Sequence, residues 1–189
     1  MNTIGPVVWV VFGVIGLIIL WAIVTYNRMI SLRNRIDNSW SQIDVQLKRR
    51  YDLIPNLVAT VKGYAAHERE VLERVTELRN RCAANNGPVA DQSRDEIQLV
   101  DALKQLLVVV ENYPQLKADQ HFLKLQQELI NTKNRIQAAR RFYNGNVREN
   151  SNAVEMFPTN LIAGMFGFAH RQFFEIEDTR ERQAPRAEL

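Results

Sequence analysis

The residues that first invite a chemical reading are three histidines, one cysteine and the polar side chains around Pro55. His67-Glu68 begins like the helical zinc-peptidase motif, in which two imidazoles one turn apart face one ion and the glutamate serves as base. The second imidazole belongs at i+4, and that position is Val71. His121 and His170 lie far away in the chain, with no cysteine or carboxylate at ligand spacing, so neither a metal site nor a cofactor is expected. A phosphate-cradling loop needs glycines followed by Lys-Ser/Thr, and an acyl-transfer elbow needs a serine between glycines; the sequence contains neither. Cys82 stands alone, cannot form an internal disulfide, and reads as a small buried helix residue. No nucleophile, base and orienting group fall together, so the chain reads as a non-enzyme with no catalytic residues.

Arg50, Asp52 and Asn56 bracket Pro55, and Arg140 and Asn144 recur in a later helical stretch. If these groups converge, two arginines offer a seat for an anionic ligand. The commoner outcome is that such groups pair with each other and with the backbone that Pro55 frees, and so fix how helices meet. Structural pairing is the reading adopted.

The elements that must position these residues begin with an anchor. Met1 to Asn27 carries no charged side chain, and Val7 to Tyr26 supplies 20 residues, which at ~1.5 Å per residue matches a hydrocarbon core of ~30 Å. Residues 1–6 are expected to form a short extracytoplasmic N-terminus and 7–26 the spanning helix. Pro6 suits a first helical position, and Trp9, Trp21 and Tyr26 suit the interfaces. A cleaved signal would carry basic residues ahead of a shorter apolar run, which this segment lacks. Arg28, Arg33 and Arg35 follow the span directly, so the positive-inside asymmetry puts residues 27–170 in the cytoplasm. The balance of 24 Lys and Arg against 21 Asp and Glu is too even for a nucleic-acid surface, and no nucleic-acid partner is expected.

Beyond the anchor, Met29, Leu32, Ile36, Trp40, Ile43, Leu47 and Ile54 form one helical stripe, which Pro55 is expected to interrupt. Val58, Val61, Ala65, Glu68, Leu72, Val75, Leu78 and Cys82 form a second stripe, broken only by the acidic Glu68 and ending at the turn residues 85–88. Ser93 with Glu96 reads as a capping box that starts a third helix, and Tyr113-Pro114 stops it. Phe122, Leu125, Leu129, Thr132, Ile136, Ala139 and Tyr143 make the most regular stripe, a fourth helix that Gly145 weakens. Leu161 to Phe168 is apolar but too short to cross a bilayer, so it packs on the bundle or lies on the membrane. Residues 171–189 are charged and are expected to form a flexible tail. The predicted fold class is all-α: an N-terminal transmembrane helix followed by an elongated antiparallel four-helix bundle.

Several of these segments resemble the LemA family of bacterial membrane proteins. The likeness runs from Asp44 through Arg50-Tyr51-Asp52-Leu53-Ile54-Pro55-Asn56 to Val61-Lys62-Gly63-Tyr64-Ala65. It resumes at Tyr113-Pro114-Gln115-Leu116-Lys117-Ala118 and at Ala139-Arg140-Arg141-Phe142-Tyr143-Asn144, and closes at Phe157-Pro158-Thr159-Asn160-Leu161-Ile162-Ala163. The resemblance implies an anchored, largely cytoplasmic helical bundle in the bacterial inner membrane. It also makes Arg50, Asp52, Pro55, Asn56, Arg140, Tyr143, Asn144, Phe157 and Pro158 a motif cluster, read here as structural. Related proteins of magnetosome-forming bacteria are associated with membrane shaping, and some members are linked with a membrane zinc metallopeptidase. Two departures stand out: Thr132-Lys133-Asn134 puts a base where the family pattern has an acid, and Asn150-Ser151 replaces a second Tyr-Asn.

Together these readings predict a membrane-anchored scaffold with the lipid bilayer and further copies of itself as partners. The competing expectation is an adaptor for a membrane protein such as that metallopeptidase.

Overall fold

The computed structural model describes residues 4–175, and within them the secondary structure is helical throughout, without strands. Helix α1 spans Ile4–Tyr64, α2 Arg69–Ala84, α3 Val89–Val110, α4 Pro114–Lys117, α5 Gln120–Glu155 and α6 Thr159–Phe166. The described residues fall into two compact units. One comprises 4–39 and 144–171, the other 40–143 and 172–175, so α1 and α5 each contribute to both.

The expected interruption of α1 at Pro55 does not occur, because the helix continues to Tyr64. Proline removes the N–H that would bond the carbonyl of Tyr51. That carbonyl instead accepts a 2.9 Å hydrogen bond from Arg79 Nε on α2. The break falls at 65–68, where the amide of Glu68 bonds the carbonyl of Ala65. Helix α5 runs through Gly145 to Glu155.

In the unit of residues 40–143 and 172–175, the sequence stripes become the core. Ile54, Leu57, Val61, Leu72, Val75, Leu78, Leu99, Leu106 and Phe122 are all buried in one cluster. The α2–α3 turn closes where Asn85 accepts the Gly87 amide at 2.9 Å and donates to Asp95 at 2.7 Å. The capping-box reading of Ser93 and Glu96 is corrected: α3 starts at Val89, and both residues lie inside it with buried side chains. The Ser93 hydroxyl bonds the backbone of Glu175, and Glu96 turns inward to Arg50 and Tyr51. Asp119 caps α5 by accepting the Phe122 amide at 2.8 Å, and its other oxygen takes the Tyr64 hydroxyl at 2.9 Å. Both bonds hold its carboxyl below the usual range, the Phe122 amide foremost.

The stretch expected to start as a tail at 171 is held at its beginning. Phe174 is fully buried edge-on to Trp40, and Tyr143 donates to the carbonyl of Gln172 at 2.8 Å. The rest of the expected tail, 176–189, lies outside the described residues, as do residues 1–3 of the expected N-terminal segment 1–6, whose residues 4–6 belong to α1.

In the unit of residues 4–39 and 144–171, Met29, Ile162 and Ala163 form a core with Ala22, Tyr26, Ala153, Val154 and Phe168 packed against it. Buried Asn146 reaches the Ser39 hydroxyl at 3.3 Å, and Asn150 donates to the carbonyl of Ala169 at 3.0 Å. Arg28 pairs with Glu149 at 3.6 Å and Arg171 with Asp37 at 3.6 Å. From Val8 to Val24 the large apolar side chains of α1 are exposed, and this helix is long and apolar enough to cross a membrane.

Candidate functional site

Arg50 reaches the interior of its unit because it shares a helix face with Leu47, Ile54 and Leu57, all buried. A guanidinium placed there needs a partner, and α3 supplies Glu96, 1% exposed against 5% for Arg50. Their Nη2 and Oε2 atoms form an ion pair, and the Tyr51 hydroxyl donates to the other Glu96 oxygen. Taking both charges out of water is costly, and only mutual contact with added hydrogen bonds offsets it. Burial works to lower the Arg50 pKa and raises that of the Tyr51 hydroxyl well above its ordinary value. The Cys82 thiol is pushed up to about 11, chiefly by burial. It therefore stays a thiol at neutral pH and makes a poor nucleophile.

Arg50 also lines a cavity of about 250 Å³ between α1, α3 and α5. Leu57, Leu103, Leu107, Leu129, Ile130 and Ile136 give it apolar walls. Its charged lining residues are Arg50, Lys104, Lys133 and Arg140, with no carboxylate among them. The space lies just below the ~300–1,000 Å³ common for small-molecule sites. A pocket with apolar walls and cations on its rim can hold an anion with an apolar body, although Arg50 already pairs with Glu96 and Lys104 with Asp101 at 3.4 Å. Among the described residues no cluster of three or more His, Cys, Asp or Glu side chains forms a metal set.

The sequence-derived cluster is divided by the structure. Arg50 and Arg140 share the cavity wall. Asp52 turns to Arg79 at 4.0 Å, and Asn56 is exposed, with its carbonyl taking the Thr60 hydroxyl at 2.9 Å. Tyr143 packs on Trp40 with ring centroids 5.5 Å apart, while Asn144 begins the α5 segment of the other unit. Phe157 and Pro158 are exposed between α5 and α6. Glu96, Lys104 and Arg79 carry no local signal in the sequence: Glu96 sits at capping-box spacing from Ser93, and nothing nearby in the chain marks a residue that acts on a distant helix. Lys133 adds a positive charge to the cavity.

A sequence model of the LemA family matches residues 39–188, a stretch that includes every element of this site. The chain belongs to the LemA family. It is 26% identical to Protein LemA of Metamycoplasma hominis, with 86% of this chain and 74% of that protein covered. It is 21% identical to the magnetosome protein MamQ of Magnetospirillum gryphiswaldense, over 90% of this chain and 73% of that protein. Magnetosome protein MamQ 2 of Paramagnetospirillum magneticum matches at 22% identity, and there the chain spans 64% of its relative's length. The matched region begins at Ser39, twelve residues past the uncharged segment that ends at Asn27, so the membrane-compatible segment lies outside the match.

Proposed function

We propose that this LemA-family protein is a non-enzymatic, single-pass scaffold of the bacterial inner membrane. In this reading its N-terminus lies outside, its helical domain in the cytoplasm, and copies associate to organise membrane or membrane proteins. One observation carries it: the helix surface from Val8 to Val24 is apolar and exposed, a face that only lipid or another apolar surface covers at low cost. Arg28, Arg33 and Arg35 at its end support the cytoplasmic orientation. Residues 40–64 of α1 and 120–143 of α5, with α2 and α3, fit an antiparallel four-helix bundle. Self-association is supported by apolar side chains left exposed on it, among them Val45, Val108, Ile130 and Phe142. Relatives named magnetosome proteins are compatible with work at a membrane. The test is the mass of the full-length protein in mild detergent: a discrete assembly is expected, and a monomer at every concentration would sink the scaffold.

The cation-lined cavity favours a second reading, an adaptor that captures an acidic segment of a membrane partner such as a metallopeptidase. Lys133→Glu and Arg140→Ala should then abolish recovery of the partner while helicity is unchanged.

A further inference from the structure

Helix α6 is short, uncharged and apolar on both faces. One face is spoken for, since Ile162 and Ala163 are buried against Met29, with Ala22 and Tyr26 beside them. The other face is open: Phe157 is 78% exposed and Met165 77%, with Leu161 and Phe166 more than half exposed. A soluble surface rarely gathers so many large apolar side chains without something to cover them.

The position of α6 along α1 identifies the cover. The Phe166 ring lies 4.7 Å from that of Tyr26, and Phe168 lies 5.8 Å from it on edge. Ala22 packs against the same cluster. At ~1.5 Å per residue, Ala22 lies about 9 Å before Arg28, the first charged residue. Helix α6 is thus level with the last turns of the uncharged segment, at the depth where a bilayer passes from headgroups to acyl chains. Its geometry is fixed there. The Thr159 hydroxyl bonds the carbonyls of Ala153 and Met156 at 2.7 and 2.8 Å. Gly167 ends the helix at φ 68°, which lets the Phe168 amide reach the carbonyl of Ala163 at 3.0 Å.

We infer that α6 is an interfacial membrane helix: Phe157, Leu161, Met165 and Phe166 sink into the boundary region of the same bilayer leaflet from which α1 emerges. The inference rests on α1 spanning that bilayer. It gives the protein a second, laterally placed hold on lipid, which a single span lacks, and wedges apolar volume into one leaflet only.

The experiment is spin labelling of the full-length chain in nanodiscs of phosphatidylethanolamine and phosphatidylglycerol, in a Cys82→Ala background. Labels go at Ile15→Cys in the span, Met165→Cys on α6 and Glu73→Cys on α2, and each is exposed to oxygen and to a water-soluble nickel chelate. The expected result is a high oxygen-to-nickel accessibility ratio at Ile15 and Met165 and a low one at Glu73. A ratio at Met165 matching that at Glu73, with Ile15 still in lipid, overturns the inference and leaves the span intact. A Met165 label closed to both reagents overturns it in favour of a protein neighbour. An aqueous Ile15 overturns the span and this inference together. Repeating the measurement with Phe157→Cys separates the face as a whole from one side chain.

Discussion

Arg79 Nε on α2 donates to the carbonyl of Tyr51 on α1, the very acceptor that Pro55 leaves without its helical donor. A proline in mid-helix therefore costs less here than usual, because a charged donor from a neighbouring helix replaces the missing bond. Arg79→Ala should lower stability by about 1–2 kcal/mol. Pro55→Ala restores an N–H to Tyr51, so the same arginine change made in that background should cost clearly less. Urea unfolding followed by Trp40 fluorescence, run as a double-mutant cycle, reads the coupling directly.

The Arg50–Glu96 pair calls for a different pattern. Removing one partner leaves the other charge buried and unpaired, so Glu96→Leu or Arg50→Met alone should each cost about 3–5 kcal/mol. The double replacement should recover much of that loss, since apolar side chains of similar size suit the surrounding leucines. If Arg50→Met alone proves neutral by thermal melting, the pair is not holding α1 and α3 together.

Cys82 supplies a prediction in pH. Its thiol is raised from an ordinary value near 9 to about 11, so the folded state favours the protonated form. That contribution is fully present below the unfolded pKa near 9 and is lost as pH rises through about 11. Stability should accordingly slope downward between those limits, and Cys82→Ala should flatten that part of the slope. The raised value also leaves roughly a hundredfold less thiolate at pH 8 than an ordinary cysteine holds. Labelling by a thiol-reactive disulfide should be correspondingly slow until denaturant is added.

Much of the fold was legible in residue spacing. Met29, Leu32, Ile36, Ile43, Leu47 and Ile54 announced a single buried stripe and are all buried. The turn residues 85–88 and the stop at Tyr113-Pro114 also fall where their chemistry puts them. Errors arose where a local rule met a distant partner. Pro55 reads as a break until Arg79 is known, and Glu96 reads as a cap until Arg50 claims it from another helix. Ion pairs show the same limit: Arg81 crosses to Asp95 on α3, a partner that no local spacing points to. Within the candidate site, Arg50 and Arg140 were visible as paired motif residues, but a cavity is enclosed volume, and no pattern in one dimension encodes it.

The contact between Tyr26 and Phe166 joins the first described helix to the last. Translation delivers the ring of Phe166 140 residues after that of Tyr26. Met29 and Ala22 wait without their cover until the residues up to Phe168 have left the ribosome. A product cut short before Thr159 therefore carries a bare apolar patch beside the exposed apolar segment of α1, and that patch closes only once synthesis has passed Phe168.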